Sequence, residues 1–196
     1  VIGHSDASNG TQKVDTSQLP REICNVMKNH NIVIFCDPKF PPLWLPNFIR
    51  LVEDGIKITV KMHVHSSVKE IPSTHDKFCS DLDNKGLLGD ISITLIWKTI
   101  GIDPVLKSND NREIFGQVNI ARYLNRIIEQ INPGLLKYEK KGPCYASKID
   151  CALEKIHTAL HNENDKKLIN TFISENRRYV FDEVSIVDLF IATYQL

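Results

Sequence analysis

The chain lacks a Cys-x-x-Cys pair: Cys24, Cys36, Cys79, Cys144 and Cys151 stand apart, and their number is odd. Such spacing suggests neither a zinc ribbon nor a disulfide framework, and a reducing cytoplasmic compartment is the default expectation. An excess of either charge is also missing, with 24 Lys and Arg against 24 Asp and Glu. No overall field therefore draws the chain to nucleic acid or to an acidic membrane, and binding has to come from local patches. No apolar run approaches the roughly 18–20 residues of a spanning helix, and the start, VIGHSDASNGTQ, has neither the basic flank nor the apolar stretch of a signal peptide. Because residue 1 is not Met, a piece of a longer chain is expected.

What is present suits a folded domain. The 196 residues are 42% hydrophobic and 24% charged, enough for one large globular domain or two small ones. Residues 1–16 are polar and turn-rich, and a flexible leader is expected as far as residue 30. NIVIFC, Asn31 to Cys36, reads as a buried strand, stopped by DPKFPP and followed by a helix in LWLPNFIRLVEDG. Pro46 sits early in that helix, where a missing N–H costs little, and Gly55 is expected to close it. IKITVKMHV, Ile56 to Val64, alternates apolar and polar residues, the period of a half-buried strand. Residues 66–90 allow only a short helix or a long loop. ISITLIWK, Ile91 to Lys98, gives another strand, and TIGIDP is expected to turn it into a hairpin with VLK.

The helix at 117–131 is the most regular. At 100° per residue, Ile120, Ala121, Leu124, Ile127, Ile128 and Ile131 fall within an arc of about 120°, the width of a core-facing stripe. Asn119, Arg122, Tyr123, Arg126 and Gln130 take the other side. After NPG at 132–134 the pattern is helical, with Ile149, Ala152, Leu153, Ile156 and Leu160, then Leu168, Ile169, Phe172 and Ile173, at apolar positions. In VSIVDLFIA, Ser185 and Asp188 form an S-x-x-D capping box, and Val184 is placed to staple against Leu189.

This order resembles the glutathione-transferase fold: α/β plus all-α, a thioredoxin-like half over 31–131 and a truncated helical half over 132–196. Within it, HVHSSVKEIP at His63 to Pro72, TLIWK at Thr94 to Lys98 and NIARYL at Asn119 to Leu124 resemble the transferase-like scaffold proteins of the aminoacyl-tRNA synthetase complex. The resemblance covers about residues 30–196. It implies a noncatalytic module with no cofactor, in the cytoplasm and also the nucleus, that pairs with similar domains. The implied direct partner is the transferase-like domain of glutamyl-prolyl-tRNA synthetase, with aspartyl-tRNA synthetase also held. The lysyl-tRNA synthetase contact belongs to an N-terminal region outside this chain.

The residues speak against glutathione chemistry. Cys36 ends the first strand in CDPKFPP, without the spacing that lowers a thiol pKa. Gly89-Asp90 precedes ISITLIWK where a cis-Pro is expected, and Gly116-Gln117 stand where the family has its carboxylate-binding Glu/Gln-Ser pair. Losing two hydrogen bonds to a charged ligand, at about 1.5–3 kcal/mol each, weakens binding by about two to four decades. His63, His65, His75 and Cys79 offer zinc-type donors at a spacing that matches no zinc motif, and they are read as surface residues. KSNDNR, Lys107 to Arg112, and KYEKKG, Lys137 to Gly142, are read as solvated runs. The expected protein-binding face is therefore Asn119, Arg122, Tyr123 and Arg126, with the arginines forking onto a partner carboxylate. Two alternatives stand beside it: a thiol-dependent transferase using Cys36, and a homodimeric structural domain without synthetase partners.

Overall fold

The computed structural model describes residues 30–82, 89–136, 138, 139, 141–162 and 184–194. The leader over 1–29 and the helical positions Leu168, Ile169, Phe172 and Ile173 lie outside the described residues. The elements run β1 (His30–Cys36), α1 (Leu45–Val52), β2 (Ile58–Val64), a 3-10 turn (Ser73–His75) leading into α2 (Asp76–Leu82), β3 (Ile91–Trp97), β4 (Val105–Lys107), β5 (Glu113–Phe115), α3 (Gln117–Ile131), α4 (Pro143–His161) and α5 (Ile186–Tyr194).

The strands form one five-stranded sheet in the order β2-β3-β1-β4-β5. β1 pairs parallel with β3, from His30 opposite Ile91 to Cys36 opposite Trp97, and β2 pairs parallel with the other edge of β3. Burial alternates strictly along β3, so one face of this strand is core and the other is half-covered. The expected β3–β4 hairpin does not form: β4 pairs antiparallel with β1 and with β5. After β3 the chain steps over the end of β1, and Asp37 fixes that step. Its carboxylate accepts the N–H groups of Ile100 and Gly101 at 3.0 Å, and of Lys39 at 3.0 Å. The hairpin is instead β4–β5, and KSNDNR is its turn, with Asn111 in the left-handed region at φ 60° and Lys107 paired to Glu113 at 3.1 Å.

The helices close one continuous core that includes residues of the sheet, α1, α3, α4 and α5. Trp44 packs on Phe190 at 5.4 Å, and the Asn47 amide donates to the Thr193 hydroxyl at 3.0 Å, which joins α1 to α5. The capping box at α5 is half as expected. Asp188 reaches back to the Ser185 N–H at 2.7 Å, but the Ser185 hydroxyl donates to the same carboxylate at 2.8 Å, and Val184 stays exposed. Gly55 does not end α1 in a left-handed conformation. Its missing side chain matters because a Cβ there would lie 2.3 Å from the Asn132 amide nitrogen.

Candidate protein-binding face of the central helix

α3 is more enclosed than its polar arc suggests. Besides the apolar stripe, Gln117, Val118, Asn125 and Glu129 are buried, while Ile131 is only partly so. Glu129 accepts the Tyr138 N–H at 2.7 Å and thereby ties the segment after α3 back onto the helix.

The four residues expected to face a partner separate into different roles. Arg122 is mostly buried, its side chain 12% exposed, and its fork is spent within the chain. Nε donates to Asp150 Oδ1 at 3.0 Å, Nη2 to Glu154 Oε1 at 3.0 Å, and Nη1 to Asn119 Oδ1 at 2.8 Å. The carboxylates expected from a partner come from α4 instead. Tyr138 also donates to Asp150, and burial together with that carboxylate pushes its phenol up to about 12, so it is a neutral donor near neutral pH. Asn119 is exposed, and its amide donates to the Phe115 carbonyl at 3.0 Å, a cap that joins α3 to β5. Tyr123 is partly buried against the core. Arg126 is about half exposed and donates to Glu139 at 2.7 Å. Beside Asn119, at the sheet edge, Phe115 is 56% exposed. Sequence reading missed it because β5 was not recognised as a strand.

The transferase-type positions are also resolved. Cys36 is fully buried, its thiol donates toward the Ile96 carbonyl, and burial first, then the nearby Asp37 carboxylate, raises its pKa. It is the opposite of an activated thiolate. Gly89 and Asp90 precede β3, the third strand, with no Pro, and among the described residues no peptide bond is cis. Pro104, just before β4, is in a trans peptide, and its carbonyl accepts the Gly116 N–H at 2.9 Å. Gly116 caps α3 at φ 85°, a conformation that favours glycine. A Cβ built on it would lie 3.3 Å from Asp103 Oδ1 and 3.7 Å from a ring carbon of His157, so little room is left for the acidic side chain of the family pair.

His63, His65, His75 and Cys79 are not brought together as one ligand set among the described residues. His65 bonds Ser67, and His75 stacks on Trp97 at 5.9 Å while donating to the Pro38 carbonyl. The donors that do converge are Asp103, His157 and His161.

The fold class is glutathione-transferase-like: a thioredoxin-like half with a mixed sheet, followed by helices. A family model described as a thioredoxin-like domain matches residues 27–115. The chain is similar to human "Aminoacyl tRNA synthase complex-interacting multifunctional protein 2", 33% identical over 103 residues, which cover 51% of this chain and 32% of the relative. It is also similar to "Probable aminoacyl tRNA synthase complex-interacting multifunctional protein 2" of Drosophila melanogaster, 25% identical over 169 residues, covering 81% of this chain and 49% of the relative. The chain thus spans about half or less of the curated relatives it matches. The shared name of these homologues and the thioredoxin-like match support the resemblance read from the sequence.

Proposed function

We propose that this chain is a noncatalytic interaction module that assembles aminoacyl-tRNA synthetases into a cytosolic complex, with the nucleus as a second location. In this reading it pairs through the transferase-like domain of glutamyl-prolyl-tRNA synthetase, and aspartyl-tRNA synthetase is held in the same assembly. The observation that carries the reading is the state of α3. Its N-terminus carries Gly116 where the family has its ligand pair, walled by Asp103 and His157, while its outer edge keeps Arg126 exposed and Asn119 exposed beside Phe115. The docking face is assigned to Phe115, Asn119, Tyr123 and Arg126, with Arg122 holding the helix from behind. Aromatic residues and arginine are the residue types in which interface energy concentrates.

The test mixes the chain with the transferase-like domain of glutamyl-prolyl-tRNA synthetase and measures molar mass in solution. A one-to-one heterocomplex, weakened by Arg126→Glu and by Phe115→Asp, is expected. Persistence of the two unmixed species would remove the reading.

A further inference from the structure

We propose that Asp103, His157 and His161 form a binding site for a late divalent transition metal of the zinc class. His157 and His161 stand four apart at the end of α4, so they project from one face of the helix, with ring centroids 4.3 Å apart. Asp103, on the loop leading into β4, completes the set: its Oδ1 lies 3.0 Å from His161 Nε2, and one ligand atom from each residue lies within 4.8 Å of the others. Around a tetrahedral ion with bonds of about 2.0–2.1 Å, donors stand about 3.4 Å apart. Small side-chain rotations bring the three atoms to that spacing.

Two further features suit a ligand set. The Nδ1–H of His161 donates to the His157 carbonyl at 2.8 Å, which orients the ring and leaves Nε2 as the coordinating atom. In the unliganded chain that Nε2 lies 3.0 Å from Asp103 Oδ1. A metal takes the unprotonated nitrogen, any proton between the two leaves to solvent, and the carboxylate turns from hydrogen-bond partner to ligand. The second feature is Gly116, which borders Asp103 and His157 closely and adds no side chain to crowd them. Two imidazoles and one carboxylate select zinc, cobalt, nickel or copper over magnesium, which prefers oxygen donors and octahedral geometry. Three protein ligands leave an open position, so micromolar binding is expected rather than the tighter hold of a four-ligand structural site. The bound ion would lock the loop before β4 onto the end of α4, fastening the two halves of the fold where the ligand pair has gone.

The test is calorimetric titration of the untagged 196-residue chain with zinc chloride, and in parallel with magnesium chloride. One zinc per chain and no magnesium are expected. At zinc a hundredfold above the dissociation constant the melting temperature rises by about 5–10 °C. His157→Gln, His161→Gln and Asp103→Asn each weaken zinc by at least about tenfold. Absence of zinc binding to the unaltered chain overturns the proposal, whatever the variants do. So does zinc affinity that survives the folded His161→Gln and Asp103→Asn variants but disappears when the exposed thiols are removed in Cys144→Ser, Cys151→Ser.

Discussion

Replacing Arg122 by Ala tests whether this residue fastens the chain to itself or waits for a partner. The change strands the α4 carboxylates that the guanidinium bridges and removes a mostly buried stem. The Nε bond to Asp150 is charge-assisted and partly buried, and is worth about 1.5 kcal/mol. Glu154 is 63% exposed, so solvent screening reduces its share to a few tenths of a kcal/mol at most. The Asn119 bond contributes about 0.5 kcal/mol and stem packing about 1 kcal/mol. Arg122→Ala should therefore cost about 3 kcal/mol, a fall in melting temperature of about 6–12 °C for a chain of this size. Arg122→Lys keeps charge and stem but cannot fork, so its loss is expected near about 1.5 kcal/mol. Urea unfolding of both variants, with a double-mutant cycle to Glu154→Gln, gives these values directly, and the cycle should show coupling near zero. A loss below about 1 kcal/mol for Arg122→Ala, at unchanged m-value, would refute the assignment and return Arg122 to the partner-facing set.

Three other perturbations separate local causes. The Asp37 carboxylate, buried but supplied with the N–H groups of Lys39, Gly101 and Ile100, has a lowered pKa, so its contribution is present above the unfolded value of about 3.9 and lost as pH falls through the folded one. Asp37→Asn should cost about 1–2 kcal/mol at neutral pH, a difference that shrinks below about pH 4 in urea titrations; a pH-independent difference contradicts this account. Gly89→Ala should cost more than Gly55→Ala, about 2 kcal/mol against less than about 1, since a Cβ at 89 meets the backbone of Lys57 and Thr59 whereas at 55 it meets the movable Asn132 amide; thermal unfolding ranks them. Alkylation of the folded chain followed by peptide mass mapping should modify Cys144 and Cys151 early and Cys36 only after denaturation.

Much of the fold was legible because strands and amphipathic helices carry their period in the sequence. The alternation through Ile91 to Trp97, the apolar stripe of α3 and the reach of Asp188 back to Ser185 appear as expected. In β2 the alternation holds for Ile58 and Val60 and lapses at its end, where Val64 is exposed. Strand order was not legible. TIGIDP looks like a hairpin turn, and nothing in its composition reveals that Asp37, some sixty residues earlier, holds the backbone of Ile100 and Gly101 and carries the chain across β1. EIF was too short and too polar at its start to announce a strand, so Phe115 was passed over. The enclosure of Arg122 was hidden for another reason. A helical wheel tells which residues share a face but not which helix covers it, and α4 lays Asp150 and Glu154 over that arc.

The enclosure of α3 also constrains the proposed interface. With Arg122 turned inward and Tyr123 partly buried, Asn119, Arg126 and Gln130 are the exposed residues of the helix, spaced seven and four apart. Three side chains on one stripe cannot supply the roughly 800 Å² per partner that a stable interface of about 1,600 Å² requires. On the proposed reading the docking surface has to continue off the helix, across β5 and the 108–112 turn. There Phe115 offers an exposed apolar side chain, and Arg112 and Arg126 are exposed cations. A partner seated on that surface would add no strand by pairing with β5 alone, since three residues give too short an edge for that mode to carry the affinity. Side-chain packing on Phe115 would have to dominate, which makes this residue, more than any arginine of α3, the position whose loss should separate the partners.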